Sequence, residues 1–306
     1  MKKRKLSKII IMMICTVFII MSFPITASAD VGPKVSVYIT FENMGDEECY
    51  GTLLSENKGT GGFRVWDGDE EHIYNYNLDL EIWRAFVEYK DTDGYYFLQT
   101  AWAWKVSDTK RIAWLHDPPY RFKILLYYPE TESFVVSGIY ELYAFSTYYT
   151  VDMDGVDIGS VEYNDHIEAY RSYNYVQEIL FFLARVIITI AVEMEIAFRF
   201  GFREKKQRLV LASVNVVTQI ILNVLLSVIN YNSGPLAFVL YYINYEIIVF
   251  VLEAVLYCTI LKKVSDKPKK NWYYVLYALA ANAFSFFTGL VIGMLYAIIV
   301  MLLSAI

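Results

Sequence analysis

The sequence predicts a two-part protein, in which an extracellular β-sandwich-like domain with one short helix is followed by a C-terminal α-helical transmembrane bundle of four spans. Three observations predict this fold class. Residues 1–29 have the pattern of a secretory signal, residues 30–160 contain short runs that alternate apolar and polar residues, and residues 176–306 contain four long apolar stretches. Residues 161–175 are predicted to be a linker or a juxtamembrane helix between the two parts.

The N-terminal segment has the three regions of a signal peptide. A basic MKKRKLSK is followed by an apolar core over residues 9–20, by Pro24, and by a small-residue Ala-Ser-Ala cleavage site that ends at residue 29. The alternative is an uncleaved first membrane helix. If the segment is removed, the mature chain begins at Asp30, outside the cytoplasm.

The segment after the signal is rich in strand patterns. In KVSVYITFEN, the apolar residues Val35, Val37, Ile39 and Phe41 recur at the period of two that is typical of a half-buried strand. Further strand candidates are YYFLQTAWAWKV, RIAWLHD, RFKILLYY, ESFVV and IYELYAFSTYYTV. About seven short strands separated by Asp-, Pro- and Gly-containing turns indicate a sandwich. The segment LEIWRAFVEY also fits one helical face and is predicted to be the short helix.

Aspartates recur near glycine in this domain, in DGDEE at 67–71, DTDG at 91–94 and DMDGVD at 152–157. A calcium loop needs several oxygen ligands at set positions, and none of the three segments completes such a set. Because Asp-Gly is also a common hairpin signal, we interpret these segments as ordinary turns. The sequence predicts no metal site and no cofactor.

No catalytic motif is found in the sequence. The three histidines share no metal-ligand spacing, and no GxSxG, HExxH or GxxxxGK[ST] segment occurs. We therefore predict that the protein is not an enzyme, and an intramembrane enzyme is the alternative that motifs alone do not remove. Cys49 in the outer domain and Cys258 in a span are too far apart in this topology to pair, which predicts unpaired thiols.

The outer domain has one candidate binding platform. In the segment WAW, strand alternation would place Trp102 and Trp104 on one face, where exposed rings would suit a protein, a peptide or a glycan. The alternative is that both rings belong to the core. Residues 30–172 contain 26 acidic and 11 basic residues, a net charge of −15, which argues against nucleic acid as a partner.

The C-terminal part contains four stretches that are each long enough to cross a ~30 Å hydrocarbon core. The predicted spans are residues 176–200, 208–230, 235–261 and 272–295, with a longer fourth span as an alternative. The loops 201–208 and 262–271 are densely basic, whereas the loop between the second and third spans has no charge. Because basic loops stay in the cytoplasm, this multi-pass topology places both basic loops inside, and the N-terminal domain and the C-terminus outside. The aromatic residues of WYYVLY at 272–277 are predicted to form part of an inner aromatic belt.

The spans carry polar residues that a simple anchor does not need. A charged side chain at a bilayer centre costs ~2.5–3.5 kcal/mol on insertion scales, so such side chains usually face a partner or a cavity. The candidate intramembrane polar site consists of Glu193, Asn215, Gln219, Glu246, Glu253 and Asn282. These residues either hold the helices together as structural contacts or form a cation or proton site around Glu193, Asn215 and Glu253.

Spacing along the spans predicts three more features. Arg185 and Glu246 are expected at similar depths and are predicted to form an ion pair. Glu195 is expected to pair with Arg199, one helical turn further on. In the fourth span, a stripe of small and polar residues is suited to close helix approach; it consists of Asn282, Ser285, Gly289 and Gly293.

Longer segments of both halves carry a likeness to known sequences. They are AVEMEIAFRFGFREKKQ, NVVTQIILN and YALAANAFSFFTGL in the membrane half, and ITFENMGDEECYGTLLSE, VWDGDEE, DGYYFLQ and FKILLYYPETESFVVSGIYELYAF in the outer half. In these segments the chain resembles a recurrent group of membrane proteins of low-GC Gram-positive bacteria. The resemblance covers nearly the whole mature chain and implies the same order of signal peptide, β-rich outer domain and four-helix bundle. The group has no assigned activity, so the resemblance implies no functional residue.

Two functions fit the sequence. The first is a membrane-anchored protein of the cell envelope whose acidic outer domain binds or senses a partner. The second is a small ion- or proton-conducting transporter or channel component that uses the intramembrane glutamates. The expected partners are the lipid bilayer and an extracellular protein, peptide or glycan. A second copy of the chain or a second membrane subunit is also expected as a partner, because four helices are few for a self-contained transport path.

Overall fold

Two compact units make up the chain in the computed structural model, one over Pro33–Tyr173 and the other from Asn174 onward. The described residues are 33–60, 63–69, 79–99, 104–158 and 165–304. The predicted signal peptide at residues 1–29 lies outside the described residues.

The first unit is rich in β-strands. Its described strands are β1 (Ser36–Glu42), β2 (Tyr50–Ser55), β3 (Gly59–Thr60), β4 (Phe63–Arg64), β5 (Trp104–Lys105), β6 (Arg111–Trp114), β7 (Arg121–Tyr128), β8 (Ser133–Ser137), β9 (Tyr140–Glu141), β10 (Ser146–Asp152), β11 (Asp165–Ile167) and β12 (Ala169–Arg171). The helices are α1 (Leu80–Glu88) and α2 (Val106–Thr109). One sheet has the order β12-β10-β1-β6, a second has the order β11-β8-β7-β2-β5 with β9 also paired to β7, and β3 pairs with β4. Strands β1 and β10 run parallel.

Two hydrophobic cores hold this unit together. The larger core takes side chains from both sheets, such as Ile39 of β1 and Ile124 of β7. The smaller core packs Leu125 of β7 against Trp83 and Phe86 of α1. Neighbouring residues of β7 thus enter different cores, which explains why this strand is buried on both sides instead of alternating. The β-rich fold and the predicted helix are confirmed, and the sandwich stays a prediction.

The sequence predicts that the β-rich domain ends at residue 160. In the structure the β-rich unit extends further, to Tyr173. Strand β11 pairs with β8, and β12 pairs with β10 through residues such as Tyr149 and Arg171. Part of the predicted linker at 161–175 is therefore strand, because its short apolar-polar segments complete the two sheets. Helix α3 begins at Tyr175.

The aspartate-rich segment at 91–94 is a turn that holds a buried lysine. Asp91 accepts hydrogen bonds from the backbone N–H groups of Asp93 and Tyr95, at 3.0 and 3.1 Å. Its other carboxylate oxygen lies 2.9 Å from Nζ of Lys123, which also lies 2.6 Å from a carboxylate oxygen of Asp93. Among the described residues, no group of three or more His, Cys, Asp or Glu side chains is arranged to hold a metal ion.

The second unit is helical. Its helices are α3 (Tyr175–Arg199), α4 (Lys205–Leu256), α5 (Lys262–Val264) and α6 (Asn271–Ser304), and a π-helical turn (Tyr257–Leu261) joins α4 to α5. Two continuous segments, Lys205–Val264 and Asn271–Ile292, are long and apolar enough to cross a membrane. Within α4, Gly234 has non-helical dihedral angles of φ 79° and ψ −179° and is followed by Pro235.

The long helix folds back on itself at Gly234. We call residues 205–233 the first arm and residues 235–264 the second arm. Thr218 of the first arm donates a hydrogen bond to Glu253 of the second arm. Near the arm ends, Gln207 donates one to Ser265, at 3.1 Å. A straight helix would separate residues 207 and 265 by about 87 Å, so the two arms run antiparallel.

The ends of the helices opposite Gly234 meet in an aromatic cluster. Phe202 is buried there and stacks on Tyr274, with ring centroids 5.8 Å apart. Tyr274 and Tyr277 have no exposed surface, whereas Trp272 is 60% exposed. The predicted aromatic belt at 272–277 is thus wrong for the two tyrosines, because Phe202, in the turn after α3, packs against both of their rings.

Candidate intramembrane polar site

The helical unit buries all six residues of the predicted polar site. Each is no more than 8% exposed. They come from every long segment of the unit: Glu193 from α3, Asn215 and Gln219 from the first arm, Glu246 and Glu253 from the second arm, and Asn282 from α6. The apolar faces of the helices thus enclose polar groups instead of excluding them.

Glu253 is the best-satisfied carboxylate of the site. Its Oε1 accepts a hydrogen bond from the Thr218 hydroxyl, at 2.7 Å, and its Oε2 accepts one from the Asn282 side-chain amide, at 2.8 Å. The same amide nitrogen also donates to the carbonyl of Ala278, at 2.9 Å. Glu253 therefore ties the two arms to α6, which is the structural role expected of a buried polar contact between membrane helices.

In the side-chain amides of Asn215 and Gln219, the oxygen atoms accept hydrogen bonds but the nitrogen atoms donate none. The Tyr257 hydroxyl donates to Oδ1 of Asn215, and Asn223 donates to Oε1 of Gln219, at 3.3 Å. The nitrogens Nδ2 of Asn215 and Nε2 of Gln219 are buried without a hydrogen-bond partner. Two buried donors are thus directed at the interior of the helical unit, where an unmade hydrogen bond is costly.

Glu193 differs from Glu253 in having no hydrogen-bond partner at its carboxyl group. Its side chain has no exposed surface, and neither Oε1 nor Oε2 accepts a hydrogen bond from a described residue. Its charged neighbours are Glu253 and Glu246. The Ser285 hydroxyl and the Asn215 side-chain amide lie near it, but neither makes a hydrogen bond of regular geometry to the carboxyl oxygens. A carboxyl group that lies among carboxylates and is not held by well-formed hydrogen bonds is far cheaper to bury when it is neutralised.

Arg185 and Glu246 line one small cavity but make no ion pair. Among the described side chains, the Arg185 guanidinium instead lies over the Phe238 ring, 5.3 Å from its centroid. The cavity is also lined by Ile188, Thr189, Gln219, Asn223, Tyr242, Gly289 and Ile292, and the volume open to a water molecule is about 10 Å³. The two groups thus lie at one site, but the guanidinium contacts an aromatic ring and not the carboxylate.

Two other spacing predictions can be compared with the structure. Nε of Arg199 lies 2.9 Å from a carboxylate oxygen of Glu195, and both side chains are exposed, so this predicted pair is confirmed. In the stripe along α6, a Cβ atom on Gly289 would lie 2.6 Å from the Tyr242 hydroxyl. The glycine thus leaves room for the Tyr242 hydroxyl between the second arm and α6, and a larger residue would require this hydroxyl to move. The surroundings of Gly293 lie outside what the structure describes.

The predicted platform of the outer domain is not described by the structure. Trp102 lies outside the described residues, and Trp104 begins β5 without a described side chain. The β-rich unit has instead a cleft of about 580 Å³. Its lining includes the rings of Trp66, Tyr89, Tyr95, Tyr96 and Phe97, and the charged residues Asp67, Glu88, Lys90 and Asp91.

Three residues of the site were missed by sequence reasoning. Thr218 and Tyr257 bind polar residues of the site, and Tyr242 lines the cavity. A signal existed for each: Thr218 lies three residues after Asn215, and both tyrosines lie four residues from a glutamate of the second arm, which places them on the same helical face.

Comparisons of this chain with protein-family models, with curated proteins and with solved structures found no match.

Proposed function

We propose that the helical unit is a four-span membrane domain that takes up and releases protons or small cations at Glu193, beside Glu253. The observation that carries this proposal is the fully buried Glu193 carboxyl group without a hydrogen-bond partner among the described residues. A carboxylate that only holds helices together would have donors, as Glu253 has. A buried carboxyl group that donors do not hold is suited to binding and releasing the proton or cation that neutralises it.

The folded-back helix supports four spans. The segment Lys205–Val264 has 60 residues, or about 90 Å of helix, which is three times the thickness of a hydrocarbon core. Its two antiparallel arms are each of spanning length. Helix α3 has 25 residues, enough for a third crossing although its interior charges lower its hydropathy, and α6 supplies the fourth.

The charges of the loops support one orientation. The two basic loops at 201–208 and 262–271 lie together at one end of the helical unit, where Lys269 donates a hydrogen bond to the carbonyl of Phe200, at 2.7 Å. The turn at Gly234, at the other end, contains no charged residue. Under the rule that basic loops stay inside, the β-rich unit is extracellular.

The test is ion flux through the purified full chain in liposomes, with a trapped pH dye for protons and flux assays for sodium and potassium. We compare the wild type with Glu193→Gln and with Glu193→Gln/Glu253→Gln. Glutamine has the shape of the glutamic acid but cannot exchange a proton or neutralise a cation. We expect flux in the wild type and a loss of about a hundredfold or more in both variants, the lower end of the range for a positioned group that transfers protons.

Glu195→Gln is the matched control, because Glu195 is two residues from Glu193 but is exposed and paired with Arg199. It should conduct as the wild type does. Flux in Glu193→Gln at the wild-type rate, with equal thermal stability, would contradict the proposal and leave the glutamates as structural contacts.

A second function is favoured by the cleft of the β-rich unit. We propose that this unit binds an extracellular ligand there, because the cleft has the volume of a typical ligand site and joins aromatic rings to a few charged groups. Such a lining suits the ring faces and hydroxyl groups of a glycan. The net charge of −15 over residues 30–172 further disfavours an anionic polymer.

Titration with soluble cell-wall oligosaccharides, followed by tryptophan fluorescence, tests this second function. Trp66→Ala should weaken binding by about 1–3 kcal/mol, the usual effect of losing a stacked aromatic ring. Tyr120→Ala is the control, because Tyr120 is 60% exposed and does not line the cleft. Equal binding by the wild type and Trp66→Ala would contradict the assignment of the cleft.

A further inference from the structure

The small cavity between the arms and α6 holds an unusual set of polar atoms. Three residues that line it each have one buried atom without a hydrogen-bond partner: Nε of Arg185, Nε2 of Gln219 and Oε2 of Glu246. Two of these atoms are donors and one is an acceptor. Gln219 and Glu246 are more than nine-tenths buried, so bulk solvent does not satisfy them.

We propose that one water molecule binds in this cavity, accepts hydrogen bonds from Arg185 and Gln219, donates one to Glu246, and relays protons to the glutamates of the site. This proposal rests on the proposed function of the helical unit, and it names the proton as the species that is exchanged. A water molecule has two acceptor sites and two donor sites, which match the two donors and the one acceptor.

The size of the cavity fits a single water molecule. A volume of about 10 Å³ is open to water, near the minimum of about 10–15 Å³ that one molecule needs. A buried water typically makes about three hydrogen bonds, the number of unpartnered atoms that line the cavity. A hydrated ion does not fit.

The chemistry of the lining excludes a bare metal cation as the occupant. Sodium, potassium and calcium ions are bound by oxygen atoms, whereas two of the three unpartnered atoms here are N–H donors. Their hydrogens would point at the cation and repel it. The arginine adds a fixed positive charge, which is opposed to a cation and compatible with water.

The position of Glu246 connects the cavity to Glu193. Glu246 is a charged neighbour of Glu193, and it lies about 10 Å closer to the Gly234 end of the second arm than Glu253 does. In the relay, Oε2 of Glu246 gains a proton as one O–H bond of the water breaks. The hydroxide that remains is held by the N–H groups of Arg185 and Gln219 and takes up a proton supplied by the aqueous phase, which restores the water, so no other reactant is needed.

The test fills the cavity without removing a polar group. In Gly289→Ala, the added methyl group would lie 2.6 Å from the Tyr242 hydroxyl, and both residues line the cavity, so the methyl group and the displaced hydroxyl are expected to take up its volume. We expect proton flux in liposomes to fall by about tenfold, because displacing an ordered water loses its hydrogen bonds. Gly289→Ala/Tyr242→Phe, which removes the displaced hydroxyl, should recover most of the flux, and Tyr242→Phe alone is its control. Unchanged flux in Gly289→Ala would overturn the relay.

A structure of the full chain at a resolution that shows ordered water decides the site independently of flux. We expect one density peak within hydrogen-bonding distance of Arg185, Gln219 and Glu246, and its absence in Gly289→Ala. A cavity without density, or one that holds sodium or potassium, would overturn the proposal. If the peak is present but the wild type conducts no protons, the relay fails and only the water site stands. The proposed function fails as well only if sodium and potassium flux are also absent.

Discussion

At the scale of single residues, Cys49 is a thiol that the fold has made inert. It has no exposed surface, and burial raises its pKa to about 12. The thiolate is the reactive form of cysteine. A buried thiol with a raised pKa is consistent with the unpaired cysteine that the sequence predicts, and it does not favour a disulfide between two copies of the chain.

We predict that Cys49 does not react with a disulfide reagent at pH 8 until the protein unfolds. The protein is tested with Cys15→Ser and Cys258→Ser, so that Cys49 is the one reporter. Because the pKa is higher in the folded state, the stability that this thiol contributes is complete below its ordinary value of about 8.5 and is lost as the pH rises towards the folded value. Rapid labelling of the folded protein at pH 8 would contradict the burial.

The buried Lys123 is the second residue whose charge matters to the fold. Its side chain and that of Asp91 have no exposed surface. Burial acts to lower the pKa of Lys123, but hydrogen bonds to Asp93 and Asp91 outweigh burial and raise it. The stability from this group is therefore present below about pH 10.4, the ordinary lysine value, and is lost as the pH rises through the higher folded value.

We predict that Lys123→Met destabilises the β-rich unit by about 3–5 kcal/mol, because it leaves Asp91 buried without its cation. Urea unfolding followed by tryptophan fluorescence measures this, since Trp272 is the one tryptophan outside this unit. Lys123→Met/Asp91→Asn should lose less than the sum of the two single variants. Additive losses would show that the two residues do not stabilise each other. Lys58→Met, on an exposed side chain, is the control.

The polar residues that the helices bury could be predicted from the sequence, but their contacts could not. The spacing of glutamates and amides selected the residues that the helices bury, because ionisable groups in apolar segments must face inward. The spacing did not predict that Thr218 binds Glu253, or that the Arg185 guanidinium lies over the Phe238 ring. Those contacts depend on the rotation of each helix about its axis, which a single sequence does not encode locally.

At the scale of elements, the break in α4 is set by Gly234 and Pro235. The dihedral angles of Gly234 fall in a region that essentially only glycine occupies. The proline lacks the N–H group that would continue the helix. The predicted spans 208–230 and 235–261 leave an uncharged loop between them, whereas the structure keeps helix on both sides and confines the turn to this pair.

We predict that Gly234→Ala destabilises the helical unit by about 1–3 kcal/mol, the cost of forcing a side chain into this backbone region. Thermal unfolding in detergent, followed by far-ultraviolet circular dichroism, measures the loss. Ser233→Ala is the matched control, because the neighbouring Ser233 is exposed and has helical geometry. If Gly234→Ala melts with the wild type, the break in the helix does not depend on the conformational freedom of glycine.

At the scale of the whole molecule, the charge is divided between the two units. Residues 30–172 have a net charge of −15, and residues 173–306, with 7 acidic and 11 basic residues, have a net charge of +4. The acidic unit attracts cations to its surroundings, while the basic loops favour a cytoplasmic, anionic membrane surface. Both preferences agree with a protein whose glutamates exchange a positive charge across the bilayer.

The last prediction concerns which side of the membrane the turn at Gly234 and the second basic loop face. In a Cys258→Ser background, Ser233→Cys at the turn between the arms should react with a membrane-impermeant maleimide on intact cells. Lys267→Cys in the second basic loop should react only after permeabilisation. Both positions are exposed on the protein, so membrane sidedness decides the outcome, and buried Cys49 serves as an internal negative control. Labelling of Lys267→Cys on intact cells would invert the orientation. A Ser233→Cys that reacts only in the unfolded protein would place the turn within the bilayer, so the two arms would not make two full crossings.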